Sequence, residues 1–291
     1  MEREQLLLLI TTPLYIFVIG LEIILSNWNK WGLYTLKDTL TNLYLMLLNM
    51  GLDIAMRFII AFSALQFMYN HRIFNLEHNW MYWVGLAIGI DFLYYWLHWA
   101  DHYCRLFWAV HVTHHSSEFY NLSTGFRSSV FEPVYRFIFY LPLPLLGFEV
   151  IDIMFLHSAL QIYGILVHTQ KVRHLPKFLE YFLVSPSHHR VHHGSNIKYL
   201  DKNMGMTLII WDRMFGTFQE EDPNEPVVYG LTKNPNDRGP INIVFHEWKN
   251  IWNDLKKPVS FTTKLKYIIM PPGWSHDGST QTSSQIRKQQ N

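Results

Sequence analysis

Long apolar segments dominate the first part of the chain. They cover residues 6–25, 43–67, 80–99 and 151–167. Because about 20 apolar residues of helix cross the hydrocarbon core of a bilayer, these runs predict membrane helices. The first run lacks the basic start and the small-residue cleavage site of a signal peptide, so we expect it to be retained. The pattern predicts an all-α integral membrane bundle of about four spans or hairpins.

Polar residues return between residues 101 and 136 and predict a part of the chain that leaves the membrane. Residues 137–148 follow, with two prolines and a glycine that break helices. We expect a hairpin that enters the membrane here and returns to the same face at His168. A packed element is expected at residues 208–216. Together these polar stretches predict a cytosolic helical cap on the bundle.

The remaining part of the chain divides into an amphipathic helix and a polar tail. Apolar residues at helical spacing predict the helix over residues 243–255. It either lies on the membrane surface or docks onto the cap, and the mixed charge of its polar face favours docking. Residues 274–291 are rich in Ser, Thr and Gln, which predicts disorder. We therefore divide the chain into N-terminal membrane helices over residues 1–79, a histidine-rich domain over residues 80–273, and the tail.

Composition narrows the class of protein. The chain is 49% hydrophobic and only 16% charged, whereas a soluble domain carries about 25% charged residues. Much of its surface therefore faces something other than water. A net charge of +1 argues against nucleic acid as a partner. Cys104 is the single cysteine, which excludes a disulfide framework and a cysteine-based metal site.

Histidines concentrate in two clusters whose spacing predicts a metal site. Residues three and four apart on a helix share a face, so each cluster aims imidazoles at one spot. Imidazole suits zinc, copper, iron and nickel alike, so the ligand type does not select the metal. Eight ligands are too many for one four-coordinate ion and fit two ions better. The ligand candidates are His98, His102, His111, His114, His115, His189, His192 and His193.

Three further side chains are candidates for supporting these ligands from behind. Asp91 lies two helical turns before His98, so it either orients that imidazole or hydrogen-bonds a neighbouring helix. His188 lies four residues before His192, so its spacing allows it to be either a metal ligand or a residue that supports a ligand. We assign it the supporting role. Asn121, which follows the first cluster, is assigned to the same role.

Missing residues exclude several other chemistries. His246-Glu247 begins like a zinc-protease motif, but Asn250 stands where the second histidine ligand would be. The clusters lack the Glu-x-x-His repeats of soluble di-iron bundles, and the chain has no glycine-rich nucleotide motif. An all-histidine pair of metal ions at a bilayer surface suits oxidation of a lipid. If the ions are iron, they can activate O2 to attack an unactivated C–H bond, while the protein supplies position and a dry cavity.

One His-x-x-x-His motif and two His-x-x-His-His motifs together resemble those of the fatty acid hydroxylase and sterol desaturase superfamily. A narrower likeness, to the alkylglycerol monooxygenase branch of that superfamily, lies in the residues around the motifs. These are the runs 111–124, 185–194 and 209–218, and the likeness covers roughly residues 80–275.

The resemblance implies a membrane-bound, non-haem di-iron mono-oxygenase with O2 as co-substrate. In the alkylglycerol branch the reductant is tetrahydrobiopterin. The enzyme hydroxylates the carbon next to the ether oxygen of a glyceryl ether, which then collapses to an aldehyde and glycerol. The family's motifs imply that the eight histidines named above are iron ligands and that His168 is a ninth. Gly164 stands where some relatives have another histidine.

Other functions stay open on sequence alone. They are a sterol or fatty-acyl hydroxylase or desaturase of the same superfamily, a zinc-dependent lipid hydrolase, and a metal-binding or transport protein. The expected partners are the bilayer, a lipid drawn from it, and an electron donor that the sequence does not identify. Basic residues near the histidine clusters place that side in the cytoplasm by the positive-inside rule. The membrane would be the endoplasmic reticulum of a eukaryote or the inner membrane of a bacterium.

Overall fold

The computed structural model describes residues 2–290, which are helical or irregular. Within that range there is no β-strand, and two isolated backbone bridges join Leu183 to Leu208 and Gly194 to Tyr229. The predicted all-α fold is confirmed.

Two long apolar helices open the chain and contain the first two predicted spans. α1 is Glu2–Trp28. α2 (Leu36–Met56) continues through a wider π turn at Arg57–Ala61 into α3 (Phe62–Asn70). Only 11% of the most apolar stretch of α1, and 12% of that of the α2–α3 helix, is buried within the protein. Apolar surface of this extent is stable in lipid rather than in water, so the two helices support a membrane protein.

The third and fourth predicted spans are also helices. α4 is Trp80–Tyr103 and α8 is Val150–Leu166. Among the described residues, neither is both long and apolar enough to count as a membrane span. Asp91 and His98 lower the hydropathy of α4, and α8 has only 17 residues. The number of spans therefore stays a prediction.

Shorter helices build most of the rest of the chain. They are α5 (Arg105–His115), α6 (Pro133–Tyr140), α7 (Pro142–Leu146), α9 (Lys177–Phe182), α10 (Pro186–His192), α11 (Ile210–Phe215), α12 (Pro240–Leu255), α13 (Phe261–Ile269) and α14 (Ser283–Gln290), with a 3-10 turn at Leu122–Phe126. The packed element expected at residues 208–216 contains α11, and the predicted amphipathic helix is α12.

The segment 137–148 is mostly helical, although its prolines and glycine predicted a break. Pro142 is the first residue of α7, where a missing N–H leaves no hydrogen bond unmade. The reversal comes at Gly147, whose φ is 109°. A Cβ at that position would lie 2.3 Å from the carbonyl oxygen of Phe74, so only glycine fits. The chain therefore turns back into α8 as the hairpin prediction requires.

A buried apolar core holds α4 against α6, α7 and α8. Leu86 and Ile90 of α4 pack with Tyr140, Leu143 and Ile153, all of which are almost fully buried. Because these side chains come from four helices, burying them fixes the direction of α4. The C-terminal end of α4 carries His98 and His102, so the core aims the first two candidate ligands.

Charged side chains also join helices inside the bundle. Arg57 donates to Asp53 at 2.7 Å and to Glu4 at 2.6 Å. Asp53 in turn accepts a hydrogen bond from Arg136. Every charge in this set has an opposite partner, which is the condition for placing it away from water. The set ties α1, α2 and α6 together.

α12 docks on α5, the helix that carries the first His-x-x-His-His motif. Ile243 and Ile251 are buried. Arg105 at the start of α5 donates to Glu247 at 2.7 Å and to Asp254 at 2.6 Å. This face of α12 therefore docks on the rest of the protein, which is the alternative that the mixed charges favoured.

The tail differs from the disorder expected for residues 274–291. Residues 274–290 form turns and the helix α14, and residue 291 lies outside the described residues. Arg287 of α14 donates to the carbonyl oxygen of Leu200 at 2.5 Å. One long-range contact of a polar helix leaves no trace in the local sequence, which explains why composition alone predicted disorder. The domain limits set from the sequence stay predictions.

Arg105→Ala should destabilise the protein by about 3 kcal/mol, because it leaves two partly buried carboxylates of α12 without their shared partner. The measurement is the melting temperature of the purified protein in detergent. Lys249→Ala, an exposed residue on the same helix, is the matched control and should leave the melting temperature unchanged. Equal melting temperatures for the two variants would contradict a stabilising role for these ion pairs.

Candidate metal centre

Four segments bring histidines together at the C-terminal end of α4. α4 presents two of them, four residues apart, and α5 presents three. α10 presents His189 and His192, and His193 follows as its last, capping residue. His168 follows the end of α8, where the predicted hairpin returns. The loop over residues 201–204 passes behind the rings.

The nine predicted ligands form two groups rather than one. Within each group, one possible ligand atom from every histidine lies within 4.8 Å of all the others. The first group is His98, His102, His111, His115 and His192, and the second is His114, His168, His189 and His193. Eight of the nine side chains are buried and His114 is partly buried. This division puts members of α5 and α10 in both groups, so the two groups are neighbours.

Backbone carbonyls fix the orientation of several rings. The Nδ1–H of His98 donates to Met204 O at 2.8 Å, and that of His192 donates to Lys202 O at 2.9 Å. In the second group, His114 and His168 are held in the same way, by Arg127 O at 2.9 Å and Gly164 O at 2.8 Å. A neutral imidazole whose Nδ1 carries the proton keeps its lone pair on Nε2. These rings therefore direct lone pairs into the groups.

The inward lone pairs require a cation. The Nε2 atoms of His114 and His168 lie 3.5 Å apart, and neither carries a proton because both Nδ1 atoms donate to carbonyls. The Nε2 atoms of His102, His192 and His193 are buried and have no hydrogen-bond partner. Buried polar atoms without partners cost free energy. A metal ion in each group would satisfy them, so the residues fit a pair of metal ions.

Three residues that the sequence did not indicate lie behind the first group. Asp201 Oδ1 accepts from the Nδ1–H of His102 at 3.2 Å. Ser129 Oγ lies 3.2 Å from His111 Nδ1, and Asp101 Oδ2 lies 3.6 Å from the same nitrogen. Carboxylates in this position orient a ligand imidazole and strengthen its binding to a metal. Asp101 stands beside a motif histidine, but Asp201 is 99 residues from its partner and has no readable signal.

An aromatic pair covers the second group. The ring of Tyr120 lies 5.2 Å from that of His193 and 5.7 Å from that of His168. Tyr229 stacks on the far side of Tyr120 at 4.7 Å, with an angle of 4° between the ring planes. The two stacked rings exclude water from this side of the group.

Burial keeps the imidazoles neutral. It lowers the pKa of His114 to about 4 and that of His168 to about 3, and the backbone hydrogen bonds only partly oppose it. Burial, followed by the neighbouring imidazoles, also lowers the pKa of His111, His115 and His193 well below the ordinary value. The neutral form is the one that binds metal, so the groups are ready for metal at neutral pH.

Asp91 does not contact His98, and the alternative of bonding a neighbouring segment is the correct one. Its carboxylate accepts from the backbone N–H of Thr207 at 2.9 Å and of Leu208 at 3.1 Å. It also accepts from the indole N–H of Trp211 at 2.9 Å. Asp91 thus holds the loop that supplies Met204 O, and its effect on the site is indirect.

His188 and Asn121 also have other partners than the sequence suggested. His188 Nδ1 accepts from the backbone N–H of Ser185 at 3.2 Å, which caps the start of α10, and His188 is in neither histidine group. Asn121 accepts from the N–H of Ser123 at 3.0 Å and donates to Leu33 O at 2.7 Å. Both fix the backbone near the site rather than a ring in it. The signal for this role is a short polar N-cap residue, which is Asn121 itself in one case and Ser185, three residues before His188, in the other.

Residues 83–217 match the family model described as fatty acid hydroxylase. That stretch contains all nine histidines of the two groups. Over this stretch the chain is similar to the fatty acid hydroxylase family, and the helical fold and the paired histidine groups agree with that similarity. The resemblance inferred from the histidine motifs is confirmed.

Within that class, the chain is similar to alkylglycerol monooxygenases over most of its length. It is 40% identical to that of Homo sapiens over 267 residues, which are 90% of this chain and 59% of the relative. It is 37% identical to that of Xenopus tropicalis over 267 residues, 90% of this chain and 58% of the relative. Lathosterol oxidase of Mus musculus is 27% identical over 148 residues, 47% of each chain. The chain spans less than two thirds of the alkylglycerol monooxygenases that it matches, and no solved structure matches it.

Removing one ligand from each group should lower the metal content of the purified protein. His192→Ala takes a lone pair from the first group and His168→Ala takes one from the second. We expect each variant to lose most of one ion per chain in elemental analysis, because the five imidazoles of the first group and the four of the second define the two sites. His174→Ala, an exposed histidine in neither group, is the control. Wild-type metal content in both site variants would rule out the assignment.

Asp201→Asn should weaken metal binding without removing a ligand. The amide is a poorer acceptor for His102 Nδ1–H, and losing such a partner typically reduces metal affinity about 10- to 100-fold. The measurement is metal retention against increasing concentrations of a chelator. Asp222→Asn, which removes a surface partner of Lys198, serves as control. If the two variants retain metal equally well, Asp201 does not support the site.

The metal-free protein should lose stability as the pH falls below about 6.5, the ordinary value for histidine. The pKa of His114 is lowered to about 4 and that of His168 to about 3. Between these values and pH 6.5 the unfolded chain binds protons that the native chain does not, so acid favours unfolding. Melting temperatures of chelator-treated protein at pH 7.5 and pH 5.5 measure the effect. His168→Gln should reduce this difference, and an unchanged difference would contradict the prediction.

Proposed function

We propose that this chain is a membrane-bound, iron-dependent mono-oxygenase that hydroxylates a C–H bond of a lipid. The observation that carries the proposal is the pair of buried histidine groups, with lone pairs directed inward, inside a fatty acid hydroxylase domain. Neutral imidazoles bind iron among other metals, and the hydroxylase domain favours iron over zinc.

Each histidine group would hold one iron ion, which gives two ions per chain. His98, His102, His111, His115 and His192 would bind the first ion, and His114, His168, His189 and His193 would bind the second. Neutral ligands leave each ion with its full positive charge. When bound, the iron supplies O2 activation and attack on an unactivated C–H bond, which side chains alone cannot perform.

The chain itself supplies orientation and dryness. Backbone carbonyls such as Met204 O and Lys202 O hold the imidazoles in the tautomer that binds metal. Asp201 holds His102 in the same way through a carboxylate. Tyr120 and Tyr229 close the second group toward the cap side, so that water does not compete with a lipid there.

Contacts to α1 support a position of the histidine groups near the end of this proposed membrane helix. Glu22, in the last turns of α1, accepts from Thr169 at 2.6 Å and from the N–H of Leu122 at 2.8 Å. Thr169 is the neighbour of His168. A lipid moving sideways out of the bilayer therefore has a short path to the second group, and this arrangement supports a lipid substrate.

Alkylglycerol ethers are the substrate class that we favour. The similarity to alkylglycerol monooxygenases covers 90% of the chain at 40% identity, whereas that to lathosterol oxidase covers 47% at 27% identity. Hydroxylation of the carbon next to the ether oxygen gives a hemiacetal that releases an aldehyde and glycerol. By the same similarity, tetrahydrobiopterin is the proposed reductant.

We further propose that the chain crosses the membrane several times with its histidine groups on the cytoplasmic side. Lys171, Arg173 and Lys177 follow His168. At the same end, Lys30 lies in the loop between the two long apolar helices and Lys37 lies in the first turn of α2. Lys and Arg accumulate in cytoplasmic loops. The membrane is the endoplasmic reticulum in a eukaryote or the inner membrane in a bacterium.

The proposal predicts aldehyde formation by the iron-loaded protein from an alkylglycerol, with tetrahydrobiopterin and O2. With isotopically labelled O2, the aldehyde, trapped at once by reduction, should carry one labelled oxygen. His192→Ala should lose the activity and His174→Ala should keep it. Mass spectrometry of the trapped product gives the measurement.

Variations of this assay distinguish the proposal from its alternatives. Product formed without O2 or reductant would identify a hydrolase and overturn the proposal. Oxidation of a sterol or a fatty acyl chain in place of the ether would keep the mono-oxygenase and replace its substrate class. Absence of iron from active protein would refute the metal assignment.

A further inference from the structure

α12 has a second apolar face that does not touch α5. Ile241, Phe245 and Trp252 are 70%, 47% and 60% exposed, although they are large and apolar. Trp248 lies between them and is partly exposed. At 100° per residue, these four positions fall within about 60° of one another around the helix. They form one stripe, which we call the outer stripe, next to the buried face that contains Ile243.

A polar face borders the outer stripe on its other side. Its exposed residues are Lys249, Asn250, Asn253 and Lys256. The ammonium group of Lys256 lies 5.2 Å from the centre of the Trp252 ring. α12 therefore has one face for α5, one apolar face and one polar, basic face. A helix in a water-exposed position would need only the first and the third.

α13 repeats the arrangement. Phe261, Leu265 and Ile269 are 75%, 42% and 58% exposed and lie four residues apart, on one face. Lys264 and Lys266 lie beside this stripe. Two consecutive helices thus expose apolar stripes flanked by lysines, which is typical of helices that lie in a membrane interface.

The start of α12 packs against a membrane helix. Ile243 and Val244 share a buried cluster with Leu45 of α2. Leu45 lies nine residues after the start of α2, hence about 14 Å along its axis. The neighbouring Leu43 and Leu47 of α2 are 44% and 51% exposed. The outer stripe thus begins beside the apolar surface that α2 presents to lipid.

We propose that α12 and α13 lie in the headgroup region of the bilayer, with their exposed apolar stripes against acyl chains and their lysines against lipid phosphates. Continuity with α2 and the basic flanks favour lipid over a protein partner. Trp252, with an apolar ring and a polar N–H, suits this boundary. The inference depends on α1 and α2 being membrane helices, and it is independent of the metal and of the oxidation reaction.

One consequence concerns the histidine helix. α5 lies between α12 and the site, and Thr113 of α5 donates to Ile243 O at 3.4 Å. A bilayer that holds α12 in its interface therefore also holds the outer side of α5, whose inner side carries His111 and His115.

Site-directed spin labels test the placement. In a Cys104→Ser background, single cysteines replace Phe245 on the outer stripe and Leu265 on α13. Asn253→Cys, on the polar face of α12, and Leu47→Cys, on α2, are matched controls. The full-length protein is reconstituted in phosphatidylcholine vesicles that contain phosphatidylglycerol. Relaxation of each label by O2, which concentrates among acyl chains, is compared with relaxation by chromium oxalate, which stays in water.

The ratio of O2 to chromium oxalate accessibility should be several-fold higher at positions 245 and 265 than at position 253, and should approach that at position 47. A ratio at 245 and 265 equal to that at 253 overturns the proposal. Labels shielded from both agents also overturn it, because polypeptide then covers the stripes. A water-exposed label at position 47 overturns the proposal together with the membrane placement of α2, whereas the oxygenase assay remains a separate measurement.

Discussion

The structure depends on keeping neutral imidazole lone pairs directed at one another in a buried place. Without a cation, the opposed Nε2 atoms of His114 and His168 repel, and the Nε2 of His192 has no partner. Two forces hold the rings in place: hydrogen bonds from Nδ1–H to backbone carbonyls, and the packing of α4 and α8. Metal binding would release the unfavourable free energy of such a site and would thereby couple metal binding to folding.

Two aspartates that touch no histidine of the groups keep one of those carbonyls, Met204 O, in place. Asp91 binds the backbone N–H groups of residues 207 and 208, and Asp212 binds those of Met204 and Gly205 at 2.7 Å and 2.8 Å. Burial raises the pKa of Asp212 to about 6, although these hydrogen bonds favour its charged form. A Cβ on Gly205 would lie 2.5 Å from the carbonyl oxygen of Leu208, so the tight loop requires glycine there. The ring of His98 is therefore positioned by a loop more than a hundred residues away in sequence.

The sequence predicted those features of the site that depend on histidines at helical spacing. The positions three and four residues apart identified α4, α5 and α10 as the carriers of histidine, and family likeness added His168. What spacing could not show is which histidines share an ion. His114 and His115 are adjacent but belong to different groups, because adjacent residues point about 100° apart on α5. Nor could it show Asp201, whose contact to His102 exists only after the chain has folded. The sequence indicated that the charged side chain of Asp91 lies within an apolar helix, but it did not indicate which group Asp91 binds.

α5 shows why the membrane part and the site are one unit. It has 11 residues, too short to be stable alone, so its orientation comes from its neighbours. At its C-terminal end Arg127 donates to Thr113 O at 3.1 Å, and the same guanidinium donates to Asn42 of α2 at 2.7 Å. A buried guanidinium demands such partners, and Arg127 also donates to Ser116 Oγ after α5 and to Asp38 of α2. A displacement of the long apolar helix α2 therefore moves the end of α5, and with it the rings on which both histidine groups depend.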